Sequence, residues 1–245
     1  MTKRVWDDFL TEQDKAHLEI LGPRKRKGFG NKPAILNIDN YRSVAGDEPI
    51  DILEMIKTWP SSMGFEAWEA LDNIADLLAT ARAAGIPVAH VRGLSPDAYM
   101  PGRGAHPNDM TDPAKKDRAL RGREFMPQAA PVPGEIVLEK ASASAFFGTP
   151  LMAALNAIDV DTLIVTGESA SGCVRASVVD ACTFRFKVVV AEECVYDRHE
   201  ACRAINLFDM NQKYADVVPL AEIKEWIAEW AANQAEAKAE PIAAV

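Results

Sequence analysis

Residues 162–181, TLIVTGESASGCVRASVVDA, join a strand to a helix through a turn bracketed by two glycines. The run TLIVT is short, apolar and rich in β-branched side chains, which is typical of a buried strand. Gly167 and Gly172 enclose the turn, and the predicted helix begins at the second glycine, next to Cys173. A buried strand that leads at once into a helix is the repeating unit of proteins with parallel sheets.

The same alternation of strands and helices continues on both sides of this stretch. Short β-rich runs predict six strands, at residues 34–39, 86–91, 135–139, 162–166, 186–191 and 216–219. Helical periodicity predicts helices at 65–84, 151–158 and 172–183, and a last one that ends at Trp230. Because crossovers of this size are right-handed, we predict a three-layer α/β fold with a doubly wound, six-stranded and mostly parallel sheet.

The charge balance excludes several classes of partner. The 245-residue chain has 27 Lys and Arg against 36 Asp and Glu, which gives a formal net charge of −9. Nucleic acids and anionic membranes would repel such a chain, so we expect a small-molecule partner instead. Apolar runs stay far below the ~20 residues of a membrane-spanning helix, and the charged beginning does not resemble a secretory signal, so we expect a cytoplasmic location. Four cysteines without a Cys-x-x-Cys pair favour reduced thiols.

Three regions fall outside the alternation of strands and helices. Residues 1–32 contain the basic run RKRK, and we predict an arm that contacts another subunit of a homo-oligomer. Residues 94–133 are rich in proline, glycine and charge, and are too long for a plain connection, so they form either a functional loop or a partner contact. Residues 233–245 are rich in alanine and glutamate and are predicted to be a flexible tail. This leaves one domain at 33–232.

Three chemically reactive side chains follow three of the predicted strands. Asp39 ends the first strand, Lys140 follows the third, and Cys173 lies just past the fourth. Each also has an ordinary structural explanation, as a turn former, a solvated charge or a small core residue. Since the carboxyl ends of parallel strands meet at one edge of a sheet, we expect the three to converge. A thiol at a helix N-terminus, an ammonium group and a carboxylate suit nucleophilic acyl transfer at a C–N bond.

Four segments carry a family resemblance. They are TGESASGCVRASVVDA at 166–181, PAILNID at 33–39, EIVLEKASASAFFGTPL at 135–151, and INLFDMNQKYADVV at 205–218 after YDR. In order and spacing the chain resembles the isochorismatase-like cysteine hydrolases, and within them the branch of N-carbamoylsarcosine and maleamate amidohydrolases. The resemblance implies a Rossmann-like fold, dimers or tetramers, and hydrolysis of C–N bonds other than peptide bonds.

The resemblance also implies roles in catalysis. Cys173 would be the nucleophile, Asp39 the general base, and Lys140 the cation that orients both and lowers the pKa of the thiol. The peptide bond between Glu168 and Ser169 would be cis. The backbone amides of Ser169 and Cys173 would form the oxyanion hole.

The substrate-binding residues implied are Arg198, Ser169 and Phe146. Arg198 matches a position that binds the substrate carboxylate, which suits the planar guanidinium group. Phe146 follows Lys140 closely and is a candidate for a pocket lid, although a core position is its ordinary role. Metal-binding members of the family use an Asp-x-His pair and a second histidine, whereas His90 stands alone here. We therefore expect no catalytic metal and no cofactor.

The resulting functional hypothesis is a cysteine amidohydrolase acting on a small carbamoyl or amide substrate that carries a carboxylate, as in N-carbamoylsarcosine, with release of ammonia. The alternatives are a maleamate-type amidase of aromatic-ring degradation, a vinyl ether hydrolase without a cysteine nucleophile, and a non-catalytic scaffold. The presence of Cys173 weighs against the last two. The chain departs from the family at Glu168, where small or hydroxyl residues are common, so the preferred substrate stays open.

Overall fold

The computed structural model describes residues 3–95 and 111–239, which form an α/β fold. The strands are β1 Pro33–Ile38, β2 Val88–Gly93, β3 Ile136–Lys140, β4 Thr162–Glu168, β5 Lys187–Tyr196 and β6 Asp216–Val218. The α-helices are α1 Glu12–Leu21, α2 Arg42–Ala45, α3 Ile52–Met55, α4 Phe65–Ala83, α5 Pro113–Arg121, α6 Leu151–Ala157, α7 Arg175–Thr183, α8 Glu200–Lys213 and α9 Leu220–Ala239. Among these helices, none combines the length and the apolar character needed to cross a bilayer.

All six strands pair in parallel, in the order β3-β2-β1-β4-β5-β6. This confirms the predicted doubly wound sheet. The strand order reverses at β1, which pairs with β2 on one side and with β4 on the other. A crevice for ligands forms beyond the carboxyl ends of the strands at such a switch point. The first and fourth strands therefore lead directly to the candidate site.

The sheet lies between two helical layers because its side chains alternate between the two faces. Leu36 and Val165 belong to a core shared with α6, α7 and α8. Ile35 and Ile164, one residue earlier on the same strands, belong to the core shared with α4 and α9. Strands buried on both faces read as continuous apolar runs, which is why β1 and β4 were recognisable in the sequence.

Two elements differ from their predicted bounds. The helix that follows β4 begins at Arg175 instead of Gly172, because residues 170–174 form a separate, wider π-type turn with a non-helical backbone at Gly172. The last helix, α9, runs past Trp230 to Ala239. Its alanine-rich and glutamate-rich sequence has high helix propensity and continues the helix where a frayed tail was expected. Residues 240–245 lie outside the described residues.

The N-terminal segment packs on its own chain. Trp6 is buried near Phe208, with ring centroids 6.0 Å apart, and Phe29 stacks on Trp226 at 4.1 Å. From the basic run, Arg24 forms an ion pair of 2.9 Å with the buried Asp216. These contacts assign the segment an intramolecular role, while its contact with a second subunit and the boundaries at 1–32, 33–232 and 233–245 stay predictions. Of the long excursion at 94–133, the structure describes α5 and a short turn at Pro127–Ala129, and residues 96–110 lie outside the described residues.

Candidate active site

Asp39, Lys140 and Cys173 come together at the carboxyl edge of the sheet. Lys140 Nζ lies 2.7 Å from Asp39 Oδ2 and 3.1 Å from Cys173 Sγ. It also donates a hydrogen bond of 3.2 Å to the carbonyl oxygen of Ser142. Asp39 and Lys140 are 1% and 6% exposed, and the cysteine is partly buried. The expected convergence of three strand ends is therefore present in the geometry, and we call these residues the trio.

The ion pair in the trio is held in a largely dry environment. Burial raises the pKa of Asp39, although the neighbouring Lys140 ammonium opposes this rise. Burial lowers the pKa of Lys140, but the negative charge of Asp39 and the contact with Cys173 more than compensate and keep it above its ordinary value. The second carboxylate oxygen, Asp39 Oδ1, is buried and accepts no hydrogen bond from a described residue. This oxygen is free to accept a proton.

The pKa of the Cys173 thiol is raised in the resting protein. Burial and the charge of Asp39 together raise it to about 12, although Lys140 opposes the rise. Lys140 therefore lowers the pKa of the thiol, as the resemblance implied. Its effect is outweighed by burial and by Asp39, which lies 2.7 Å from the ammonium group. At neutral pH the thiol keeps its proton and needs a base to remove it.

The turn that carries Cys173 is shaped by the end of β4. The peptide bond between Glu168 and Ser169 is cis, as the resemblance implied. Gly167 has a φ of +108°, and a Cβ atom on it would overlap the carbonyl oxygen of Ile38 on β1. The backbone amide of Ser169 donates no hydrogen bond to another described residue. It is therefore available to a ligand, as an oxyanion hole requires.

Asp197 braces this turn and was not identified from the sequence. Its Oδ2 accepts hydrogen bonds from the backbone amide of Ser171 at 2.8 Å and from the Ser171 hydroxyl at 2.6 Å. Its Oδ1 accepts one from the backbone amide of Arg198 at 2.8 Å. One buried carboxylate therefore links the turn before Cys173 to the segment that carries Arg198. Asp197 lies several residues beyond the predicted strand at 186–191, and an aspartate in such a position is too common to single out without the fold.

A cavity of about 510 Å³ lies beside Glu168 and Tyr41, and no member of the trio lines it. Glu168, which lines the cavity, is buried next to Asp39 and within electrostatic range of Lys140. The other walls combine aromatic and apolar side chains with four cations, Lys115, Arg118, Arg123 and Arg198. None of the four cations forms an ion pair with a residue in the ranges 3–95 and 111–239. The cavity of this acidic protein is therefore positively charged.

A family model described as the isochorismatase domain matches residues 52–222, a range that includes Lys140 and Cys173. The chain belongs to the isochorismatase family. It is 38% identical over 199 residues to a maleamate amidohydrolase of Pseudomonas putida, an alignment that covers 79% of this chain and 86% of the relative. It is 32% identical over 222 residues to an N-carbamoylsarcosine amidase of Arthrobacter, covering 84% of this chain and 75% of the relative.

Solved structures of the isochorismatase family share the fold. A family member from Desulfovibrio vulgaris superposes with a TM-score of 0.65 at 27% identity, over 81% of this chain and all of the other. A cysteine hydrolase from Pseudomonas syringae reaches a TM-score of 0.70 at 20% identity, over 85% of this chain and 99% of the other, which shows the fold alone. These similarities confirm the predicted family and fold class.

The predicted substrate-binding residues of this family member divide into two groups. Arg198 lines the cavity, and Ser169 lies in the turn between Glu168 and Cys173. Phe146 instead lies in the hydrophobic core, 6% exposed and 5.4 Å from the ring of Phe184. The structure therefore does not bring Phe146 to the cavity, because the segment after Lys140 folds onto α7 and not over the pocket.

Arg123 is a cavity residue that the sequence did not reveal. Its guanidinium carbon lies 5.2 Å from the ring centroid of Tyr41, and its Nη1 lies against Gly93. Its charge lowers the pKa of Asp39, so it acts on the trio directly. The segment that carries it is held to the chain after β1 by an isolated antiparallel bridge between Tyr41 and Phe125. Sequence periodicity does not report such a contact between distant segments.

His90 has a structural position. It is fully buried on β2, where Nδ1 lies 3.0 Å from Asn37 Nδ2 and Nε2 lies 2.8 Å from Glu135 Oε2. Burial lowers the pKa of His90 against the opposing effect of Glu135. Both ring nitrogens are therefore occupied by neighbours inside the protein.

Proposed function

We propose that the chain is a cysteine amidohydrolase that cleaves the C–N bond of a small carbamoyl or amide substrate carrying a carboxylate. The observation that carries this proposal is the contact of Lys140 Nζ with both Asp39 Oδ2 at 2.7 Å and Cys173 Sγ at 3.1 Å. The relatives that share most of its length are named as amidohydrolases, which supports the same reaction class.

Acylation begins at the protonated thiol. As Cys173 Sγ attacks the substrate carbonyl carbon, Asp39 takes the thiol proton, and the carbonyl π electrons move onto the oxygen. A thiol with a pKa of about 12 does not ionise beforehand, so proton transfer and attack occur together. The amides of Ser169 and Cys173 are placed to stabilise the oxyanion, and a donor of this kind contributes ~100-fold or more in rate.

Loss of ammonia completes acylation, and water then hydrolyses the thioester. The tetrahedral intermediate collapses, the C–N bond breaks, and Asp39 gives its proton to the departing nitrogen, which leaves as ammonia. Asp39 then takes a proton from a water molecule while the oxygen of that water attacks the thioester. Asp39 passes this proton to the sulfur, and Cys173 leaves as a neutral thiol. Lys140 keeps the carboxylate in place through both halves of the reaction and balances the negative charge that passes between Asp39 and Cys173.

The cavity charge supports a substrate with a carboxylate. Arg198 is the residue that we assign to this group, because it lines the cavity without an ion pair to a described residue. Arg123, Lys115 and Arg118 add to the positive potential that draws an anion in. Phe146 has no part in this proposal.

A panel of ammonia-release assays tests the proposal. The panel contains N-carbamoylsarcosine, maleamate and the neutral methyl ester of each. We expect the wild type to release ammonia from at least one acid, and Cys173→Ala to reduce that rate by ~1,000-fold or more, since the nucleophile is gone. A Cys182→Ala variant, near the C-terminal end of α7, serves as the matched control and should keep its activity. Unchanged turnover by the Cys173→Ala variant would rule out the proposed mechanism.

The same panel separates the two substrates favoured by the relatives. The maleamate amidohydrolase is the relative with the higher identity, whereas the alignment with the N-carbamoylsarcosine amidase covers more of this chain. Both compounds combine a carboxylate with a cleavable C–N bond, so the same residues serve either. A higher kcat/KM for one acid identifies the preferred acyl group.

A further inference from the structure

Glu168 is a buried residue at the edge of the cavity. It is 5% exposed and lines the cavity, and its side chain forms no hydrogen bond or ion pair with another residue that the structure describes. Buried carboxyl groups are almost always paired or hydrogen-bonded. The missing partner therefore points to a ligand.

The surroundings of Glu168 disfavour its negative charge. The titratable and charged groups around it are Asp39 and Tyr41 after β1, Lys140 at the end of β3, Tyr196 at the end of β5, and Asp197 and Arg198 beyond it. Two of these are carboxylates, and the charge of Lys140 is already taken by Asp39. Burial and the charge of Asp39 raise the pKa of Glu168 to about 8, although Arg198 and Lys140 oppose the rise.

A protonated carboxyl group presents an O–H donor that an ionised one lacks. Below its pKa, Glu168 offers this donor to the cavity, and Arg198 offers a guanidinium group that lowers the pKa of Glu168 without forming an ion pair with it. A carboxylate has two oxygens, and these two donors together satisfy both. The ammonium group of a zwitterionic ligand would have no ionised carboxylate to pair with among the described cavity residues, and it would be repelled by the four cations.

We propose that Glu168 is a specificity-determining residue that donates a hydrogen bond from its uncharged carboxyl group to the substrate's carboxylate, beside Arg198. The site then takes amides or carbamoyl compounds that are simple anions, and it rejects zwitterionic amino-acid amides. This inference rests on the proposed function. It also makes substrate affinity fall in alkaline solution, because an ionised Glu168 repels the substrate.

Calorimetric titration of Cys173→Ala protein tests the inference without turnover. The ligands are N-carbamoylsarcosine, maleamate, the methyl ester of each, and asparagine as a zwitterionic amide. We expect an acid to bind at pH 7 and to bind about tenfold more weakly at pH 9, because binding requires a group with a pKa of about 8 to be protonated. The esters and asparagine should bind at least ~10-fold more weakly than the acids at pH 7, since they lack a pairing anion or carry an ammonium group.

Two substitutions of Glu168 in the same protein complete the test. Glu168→Gln keeps a neutral donor, so we expect near wild-type affinity for the acids at pH 7 and no loss at pH 9. Glu168→Ala removes the donor, so it should weaken the binding of the acids about tenfold or more and leave the binding of the esters unchanged. Glu69→Gln, an exposed position on α4, is the control and keeps the pH dependence.

Three results would overturn the inference. They are a loss of affinity at pH 9 that persists in Glu168→Gln, equal affinity for acids and esters, and the failure of both acids to bind. Failure of the proposed function would appear separately, as the absence of ammonia release by the wild type.

Discussion

Asp39 acts on Cys173 in two opposing ways. Its charge raises the pKa of the thiol and so disfavours the thiolate in the resting protein, whereas in the proposed mechanism its Oδ1 accepts the thiol proton. Lys140 contacts both groups. Under this proposal the thiol stays protonated until a substrate carbonyl is in place.

Asp39→Asn separates these two effects. We expect ammonia release to fall by ~100-fold or more because the general base is lost. Alkylation of Cys173 by iodoacetamide at pH 7 should become faster, since the unpaired Lys140 ammonium then lowers the pKa of the thiol. Peptide mapping by mass spectrometry gives the rate at each cysteine, with Cys182 as the internal reference. Slower alkylation of Cys173 in the variant would show that Asp39 favours the thiolate at rest.

At the residue scale, the sequence predicted the positions of the trio better than their charges. Asp39, Lys140 and Cys173 follow strands, and the rule that strand ends converge was sufficient to group them. The net pKa of Cys173 depends on burial and on the 2.7 Å contact between the other two residues, which no spacing reports. Arg123 depends on a contact between distant segments and was missed for the same kind of reason.

At the scale of elements, the approach of β1 to β4 positions the site. Gly167 pairs with Ile38, and its φ of +108° lies in the region that favours glycine. A side chain here would push apart the two strands that end at Asp39 and at Glu168. The glycine is thus required by sterics as well as by backbone conformation.

Gly167→Ala should destabilise the protein by about 3 kcal/mol or more, because backbone strain and a clash with Ile38 add together. Gly85→Ala is the matched control: its φ is +75°, but nothing lies within 4 Å of the added Cβ. For this control we expect a loss of about 1 kcal/mol from backbone strain alone. Urea unfolding measures both. Equal losses in the two variants would show that the contact with Ile38 carries no extra cost.

The elements that the sequence predicted well are those with strong local patterns. Leu71, Ile74 and Leu78 repeat at three-residue and four-residue steps and are fully buried on α4, which the structure bounds at Phe65–Ala83. The sequence predicted that a helix begins at Gly172, whereas residues 170–174 form a separate turn. Hydrogen bonds from Ser171 to Asp197 hold this turn, and a tertiary contact of this kind leaves no periodic pattern in the sequence.

At the scale of the whole molecule, the charge of the cavity is opposite in sign to the net charge of the chain. The chain has a net charge of −9, yet the ionisable side chains that line the cavity among the described residues are four cations, one buried carboxyl group and the phenol of Tyr41. Attraction of an anionic substrate therefore comes from the local field of the cavity. The sequence predicted the need for local cations and named Lys140 and Arg198, of which the structure ties Lys140 to Asp39.

Salt should weaken this attraction. We expect KM for an anionic substrate to rise several-fold between ~20 mM and ~500 mM NaCl, because the Debye length falls from ~20 Å to ~4 Å, while kcat stays constant. The methyl ester of the same substrate should show a flat KM. Arg198→Gln should reduce the effect of salt on the KM for the acid. A KM for the acid that does not change with salt would contradict the role of the cavity field.

The central claim is that Cys173 forms a covalent thioester, and rapid quenching followed by mass spectrometry tests it most directly. The enzyme is mixed with a substrate from which it releases ammonia and is quenched in acid at a series of times. The mass of the peptide that carries Cys173 is then measured. We predict a mass increase equal to the substrate minus ammonia on Cys173, absent from Cys173→Ala protein. Ammonia release without any such adduct, together with unchanged turnover by Cys173→Ala, would contradict the account.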